Sequence, residues 1–216
     1  MIELYTSNTA NCQKLNIAMA ELELEYSLHA VDLATKEQKA GWYLKLNPNG
    51  RIPALRDPGT GVTIAESGAI LLYLAEKSRE LMPVDPTRYW LAVQWIMWQM
   101  SSIGPLGGEL GHFRRDPTRG QYALDRFGKE LSRLLQVLET ALDGQEYLAG
   151  EFSMADIAVW PWLTRYERLG LDLAARPAVR SWYDRIAARP KVQKGWAVLN
   201  GDAAIPSPSP SPSPSP

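Results

Sequence analysis

Every segment that reads as a β-strand lies in the first 65 residues of this chain, and from Pro86 onward the strand signals nearly vanish. Ile2 to Thr6 and Tyr26 to Leu33 are short apolar or alternating runs, with a helical stretch from about Cys12 to Leu24 between them. A connection of that length gives parallel strands with a right-handed crossover, so the two runs are expected side by side. Ala54 to Asp57 and Val62 to Ala65 follow, joined by Pro58-Gly59-Thr60-Gly61, whose proline and glycines favour a tight antiparallel reversal. A helix from about Ser67 to Ser78 completes a β-α-β, β-β-α order, a small α/β sheet domain over residues 1–80.

Beyond Pro86, apolar residues recur at helical spacing, as in Leu91, Trp95 and Trp98 or Phe127, Leu131, Leu134 and Leu138. Residues 87–200 are therefore expected to form an all-helical domain, with Pro83 and Pro86 marking the linker. Seven of the eight tryptophans fall in this helical part, and two readings fit them: core packing, or the lining of an apolar pocket. Residues 206–216 are a strict Pro-Ser alternation, which cannot make an apolar core and is expected to be a disordered tail sampling extended conformations.

Composition narrows the partners. A chain of 216 residues, 45% of them apolar, can bury one sizeable core or two modest ones. Its 23 basic and 24 acidic residues leave a net charge of −1, which argues against nucleic acid and anionic membrane surfaces. One cysteine makes no internal disulfide, and two histidines build no histidine-rich metal cage, so no metal is expected. The acidic start MIELYT lacks the basic region of a signal peptide, and the longest apolar run, Ala69 to Ala75, is far shorter than the ~20 residues of a spanning helix. A cytoplasmic chain without a membrane segment is expected.

Four local features invite a chemical explanation. Thr6 to Lys14 is a polar loop between the first strand and the helix that follows, where open α/β sheets bind ligands and helix N–H groups favour anions. Thr9 and Asn11 are hydrogen-bond donors there, and Cys12 lies near the positive end of the helix. An ordinary helix cap with a buried cysteine filler fits the same residues. In Asn47 to Leu55, a turn leads into Ile52-Pro53 at the start of a strand, where a proline is tolerated; either peptide isomer fits the sequence. Glu66 and Ser67 stand at a strand-to-helix junction, where serine and helix N–H groups suit a carboxylate and the acid suits an ammonium; a serine cap is the plainer reading. Ser153-Met154-Ala155-Asp156 reads as a capping box.

Together these residues resemble the glutathione transferase superfamily over about residues 1 to 200. The likeness is carried by Ile52-Pro53-Ala54-Leu55 after its asparagine turn, Glu66-Ser67-Gly68-Ala69-Ile70 with Tyr73-Leu74, and Ser153-Met154-Ala155-Asp156-Ile157-Ala158. Thr9-x-Asn11, Pro48-Asn49-x-Arg51 and Trp160-Pro161-Trp162 are similar to the bacterial Nu class and to relatives of the yeast nitrogen regulator. The resemblance implies a thioredoxin-like N-terminal domain, an all-α C-terminal domain, a homodimer, and glutathione, reduced or oxidised, as co-substrate. It implies that the Ile52 main chain holds the cysteinyl part with Pro53 cis, and that Glu66 and Ser67 hold the γ-glutamyl end. Gln38 and Asn49 would line the tripeptide, Thr9 and Asn11 would face its sulfur, and Arg126 would reach the site of the other subunit. Arg119 and Arg133 share the seven-residue spacing of Arg126, and a solvated basic stripe explains them equally well.

The activity so implied is reduction of small disulfides with glutathione and without an essential protein cysteine; conjugation to apolar electrophiles, or a non-catalytic regulatory role, are the alternatives. A free thiol titrates near ~8.5, so donors around the sulfur would raise the thiolate fraction at neutral pH. Cys12 lies three residues past Thr9, which turns it roughly 300° around the helix, away from that residue. Tyr5 lies within the first strand, which disfavours a tyrosine mechanism.

Overall fold

The computed structural model describes residues 1–116, 118 and 120–208, which fall into two compact units. In the first, β1 (Ile2–Thr6) pairs in parallel with β2 (Tyr26–Ala30), Leu4 opposite Leu28. It pairs antiparallel with β3 (Ala54–Asp57), Leu4 opposite Leu55, and β3 forms a hairpin with β4 (Val62–Ala65), giving the order β2-β1-β3-β4. β2 ends at Ala30, short of the expected Leu33. The cause is local: Asp32 Oδ1 accepts from the Ala34 N–H at 2.8 Å, and the Glu37 carboxylate accepts from the Asp32 N–H at 2.8 Å, closing a turn instead of extending a ladder.

The hairpin is fastened through Asp57. Its backbone carbonyl accepts from the Thr60 and Gly61 N–H groups, while its carboxylate accepts from the Gly59 N–H, the Tyr73 hydroxyl at 2.7 Å and the Lys77 ammonium at 2.8 Å. Tyr73 and Lys77 belong to α3 (Ser67–Ser78), so one buried carboxylate ties the hairpin to the helix that follows it. α1 (Ala10–Glu21) begins earlier than the expected Cys12 because Thr9 caps it, its hydroxyl accepting from the Cys12 N–H at 3.3 Å. Between β2 and β3 lie a 3₁₀ turn (Glu37–Lys39) and the short α2 (Gly41–Leu44).

The second unit contains α4 (Pro86–Trp98), a π-helical turn (Gln99–Ile103), α5 (Gly104–Phe113), α6 (Gln121–Leu142), α7 (Met154–Leu163), α8 (Tyr166–Leu169) and α9 (Pro177–Ala187). Leu131, Leu134, Leu135, Leu138 and Leu142 form the buried stripe of α6. The capping box of α7 is present: Ser153 accepts from the Ala155 N–H, and Asp156 Oδ2 accepts from the Ser153 N–H at 3.0 Å. Asp156 does more than cap, since its Oδ1 also accepts from the Leu148 N–H at 3.0 Å and the Trp182 indole at 2.8 Å. Glu139 of α6 caps α9 across sequence, its two oxygens accepting from the Ala178 and Val179 N–H groups. Trp160 and Trp182 are fully buried, in keeping with core packing, whereas Trp90 is 67% exposed.

α10 (Pro190–Asn200) departs from the expected domain boundary. Residues 190–203 belong to the first unit, where α10 lies against α1, so the helical unit ends at Arg189 and does not run to 200. The Trp196 carbonyl accepts from the Gln13 side chain at 3.3 Å, and Lys191 bonds the Glu21 carbonyl and the Glu23 carboxylate. Pro206 and Ser207, the first residues of the expected disordered tail, are held in place. The Pro206 carbonyl accepts from the Tyr183 hydroxyl at 2.6 Å and the Ser207 carbonyl from the Tyr166 hydroxyl at 3.0 Å, both within the helical unit. The remainder of that tail, 209–216, lies outside the described residues. Among the described residues, no helix is long and apolar enough to cross a membrane.

Candidate functional site

Strand register decides which loops meet. Tyr5 of β1, Ala54 of β3 and Ala65 of β4 stand in one row across the sheet. Because β3 runs opposite to its two neighbours, the end of β1, the start of β3 and the end of β4 emerge at the same edge. The Thr6–Asn11 turn, Ile52-Pro53 and Glu66-Ser67 therefore gather within roughly 10 Å, two strand spacings. That is the dimension of a short peptide. All three segments belong to the first unit.

The middle segment is built from behind. The Arg51 carbonyl accepts from the Tyr43 hydroxyl at 2.8 Å and the Asn47 amide at 2.7 Å, which fixes the turn that delivers Ile52. Asn49 donates its N–H to the Asn47 side chain at 3.1 Å, and its own side chain stays exposed. Gly50 has φ 58°, and a β-carbon there would meet the Gln38 carbonyl at 3.0 Å, so the turn closes directly on the Gln38 backbone. Lys39 reinforces this by donating to the Asn49 carbonyl at 3.2 Å. The Ile52-Pro53 peptide is cis. Gln38 presents a buried side-chain oxygen without a hydrogen-bond partner in the chain, a cost ordinarily avoided and one that a donor on a bound molecule would relieve.

On the β4 side, Glu66 is exposed with φ 69° and ψ 113°, a conformation that a non-glycine residue holds only under constraint, at ~1–3 kcal/mol. The Ile70 N–H bonds its carbonyl at 2.9 Å, so α3 itself imposes the strain and leaves the carboxylate outside the first turn. Ser67 is buried, and its Oγ accepts from the Lys14 ammonium of α1 at 3.0 Å. Lys14 is fully buried; burial pulls it down to about 7, opposed by the charges of Cys12 and Glu66. Sequence reading passed over this lysine, along with Tyr43 and Asn47. Its signal was a lone cation inside the otherwise uncharged run Ala10 to Ala20.

On the β1 side, Thr9 and Asn11 are half-buried at the head of α1, whereas Cys12 is completely buried. Burial pushes the Cys12 thiol up, only partly offset by the Thr9 and Thr6 hydroxyls, the Ser7 backbone and Lys14. A thiol so placed is protonated and inaccessible at neutral pH, hence a poor nucleophile. Arg126 belongs to the other unit and is exposed on α6; Arg133 on the same helix makes a bidentate pair with Glu130, and Arg119 lies outside the described residues. Among the described residues, no cluster of three or more His, Cys, Asp or Glu could hold a metal ion.

A four-stranded mixed sheet with a cis-proline entering its third strand, followed by an all-helical unit, defines a thioredoxin-like domain joined to a helical one. The family models for the glutathione S-transferase N-terminal domain and C-terminal domain match residues 10–77 and 108–190. The disulfide-bond oxidoreductase YfcG of Escherichia coli is 40% identical over 197 residues, covering 88% of this chain and 92% of its own length. Two solved structures superpose closely. A glutathione transferase from Pseudomonas putida, with one glutathione disulfide bound per subunit, has a TM-score of 0.87 and 35% identity, with 91% of each chain covered. One from Burkholderia graminis, with two glutathione molecules bound per subunit, has a TM-score of 0.86 and 36% identity, covering 91% of this chain and 88% of the other. The chain belongs to the glutathione S-transferase family.

Proposed function

We propose that this protein reduces small disulfides with glutathione, binding the tripeptide along the sheet edge where the Thr9 turn, Ile52-Pro53 and Glu66-Ser67 converge. That convergence is the observation that carries the reading. The Ile52 main chain and Pro53 hold the cysteinyl part, while Glu66 pairs with the γ-glutamyl ammonium and Ser67 bonds its carboxylate. Gln38 and Asn49 line the tripeptide, the former satisfying its buried oxygen with a ligand N–H. Thr9 and Asn11 face the sulfur and, with the α1 N-terminus, favour its thiolate.

The reaction is two successive thiol-disulfide exchanges. The bound thiolate attacks one sulfur of the substrate disulfide, forming a mixed disulfide and expelling one substrate thiolate, which takes up a proton. A second glutathione thiolate then attacks the mixed disulfide, giving glutathione disulfide and the second substrate thiol. Two glutathiones are oxidised and one disulfide is reduced, and no protein cysteine changes state. In line with this, the Escherichia coli relative carries the name of a disulfide-bond oxidoreductase. We further assign the active form as a cytoplasmic homodimer in which Arg126 of each subunit reaches the glutathione of the other.

Turnover of a small hydroxyalkyl disulfide with glutathione, compared with turnover of an aromatic electrophile, tests the reading. Faster disulfide reduction supports it; preference for the electrophile makes the protein a conjugating enzyme, and binding without either turnover makes it a regulator. Sedimentation of wild type and Arg126→Ala, combined with glutathione affinity, tests the dimer: the variant should remain dimeric and bind roughly tenfold more weakly.

A further inference from the structure

We propose that Lys14 is a positioning residue of the γ-glutamyl subsite: its ammonium, donating to Ser67 Oγ from within the core, turns the serine hydroxyl hydrogen toward the carboxylate of an incoming ligand. The proposal rests on the glutathione reading above and deepens it, because it names a buried cation that sets the polarity of the serine beside it.

An ammonium has three N–H groups and no lone pair, so in the 3.0 Å contact between Lys14 Nζ and Ser67 Oγ the serine oxygen accepts. Its own hydrogen then points away from Lys14. A neutral amine has a lone pair and one fewer hydrogen, which lets the serine donate inward and meet a ligand with its oxygen. A carboxylate repels the second arrangement and bonds the first. The charge on Lys14 thus selects an anionic group at the head of α3, with the helix N-terminus acting in the same direction.

Burying a lysine completely is costly, and replacing it by an apolar residue of similar length would remove that cost, so its presence calls for a role beyond packing. The ionisable groups that bear on it are Glu66 before α3 and Cys12 on α1, the latter only once its thiol ionises on the alkaline side. On α10, Lys191 is engaged with Glu21 and Glu23. Because burial holds Lys14 near neutrality, its charge is present on the acid side and fades toward the alkaline side of the physiological range. A carboxylate arriving at Ser67 favours the ammonium and draws a proton onto it.

Calorimetry with S-methylglutathione, whose blocked thiol does not titrate, tests this on the full chain. Wild type should bind roughly tenfold more tightly near pH 6 than near pH 8.5, and should take up protons on binding near pH 7, seen as a binding enthalpy that varies with the buffer. Lys14→Met, which keeps length and apolar stem, should bind roughly tenfold more weakly near pH 6, with a flat pH profile and no Lys14-linked proton uptake. The same substitution on a Ser67→Ala background should cost little further affinity. Equal affinity and equal pH profile in wild type and a folded Lys14→Met overturn the proposal. Wild-type binding without proton uptake overturns it with no variant needed. Failure of wild type to bind at any pH removes the glutathione reading itself, and this proposal with it.

Discussion

Gly195 of α10 rides on the backbone of Ile17 in α1: a β-carbon there would come within 2.6 Å of Ile17 Cα and 2.8 Å of the Asn16 carbonyl. Backbone atoms cannot yield as a flexible side chain can. Gly195→Ala is therefore expected to lower unfolding free energy by ~1–3 kcal/mol through overpacking. Urea titration, with midpoint and slope fitted separately, reads the loss.

Thr9 and Cys12 lie three residues apart but face different chemistry. Thr9→Ala should lower glutathione-dependent disulfide reduction by about a hundredfold to a thousandfold, the scale of losing one donor to a developing anion. Thr9→Ser should retain most of the rate, since it keeps both the cap and the hydroxyl. Cys12→Ala should stay within about twofold of wild type, because a buried protonated thiol takes no part in the exchange. Steady-state rates with a small disulfide check all three, and loss of activity in a folded Cys12→Ala would contradict the mechanism.

Asp57 gives the fold an acid-labile fastening. The Lys77 ammonium, then the Tyr73 hydroxyl, outweigh burial and hold its carboxyl down to about 2. A lowered carboxylate contributes its stabilisation fully above the unfolded-chain value near ~4 and loses it as pH falls through the folded value. Wild type should lose stability between about pH 5 and about pH 2, and Asp57→Asn should be less stable at neutrality while losing less over that window. Thermal melts across the series decide.

Asp156 is the acceptor on which several donors depend. Asp156→Ala orphans the Trp182 indole and the Leu148 and Ser153 N–H groups and should cost ~3–5 kcal/mol. Trp182→Phe removes one donor from a carboxylate that keeps others, and should cost ~1–3 kcal/mol. Chemical denaturation followed by far-ultraviolet dichroism separates the two.

How much of this was legible beforehand follows from which forces act locally. The four strands, their parallel and antiparallel senses and the α3 span were readable because apolar runs, Pro58-Gly59 and the loss of strand signal after residue 65 are all local. The allegiance of α10 was not. An amphipathic pattern announces a helix without naming its partner, and only Gly195, a glycine inside a helical run, hinted that a backbone comes close. Lys14 escaped for a related reason: α3 and α10 both cover α1, and that enclosure arises from tertiary packing. The site segments were visible one by one as polar turns, but the register that gathers them at one edge belongs to the sheet. The Pro206 and Ser207 carbonyls, anchored by tyrosines, carry no sequence mark at all.

The return of α10 to α1 makes the order of synthesis differ from the order of assembly. The ribosome makes the sheet and its converging turns first, and α10, the helix that shields α1, only after the whole helical unit. A nascent chain must hold α1 partly bare while more than half of the protein is still being made. Emergence of α10, and not completion of the sheet, is the moment at which α1 acquires its finished cover.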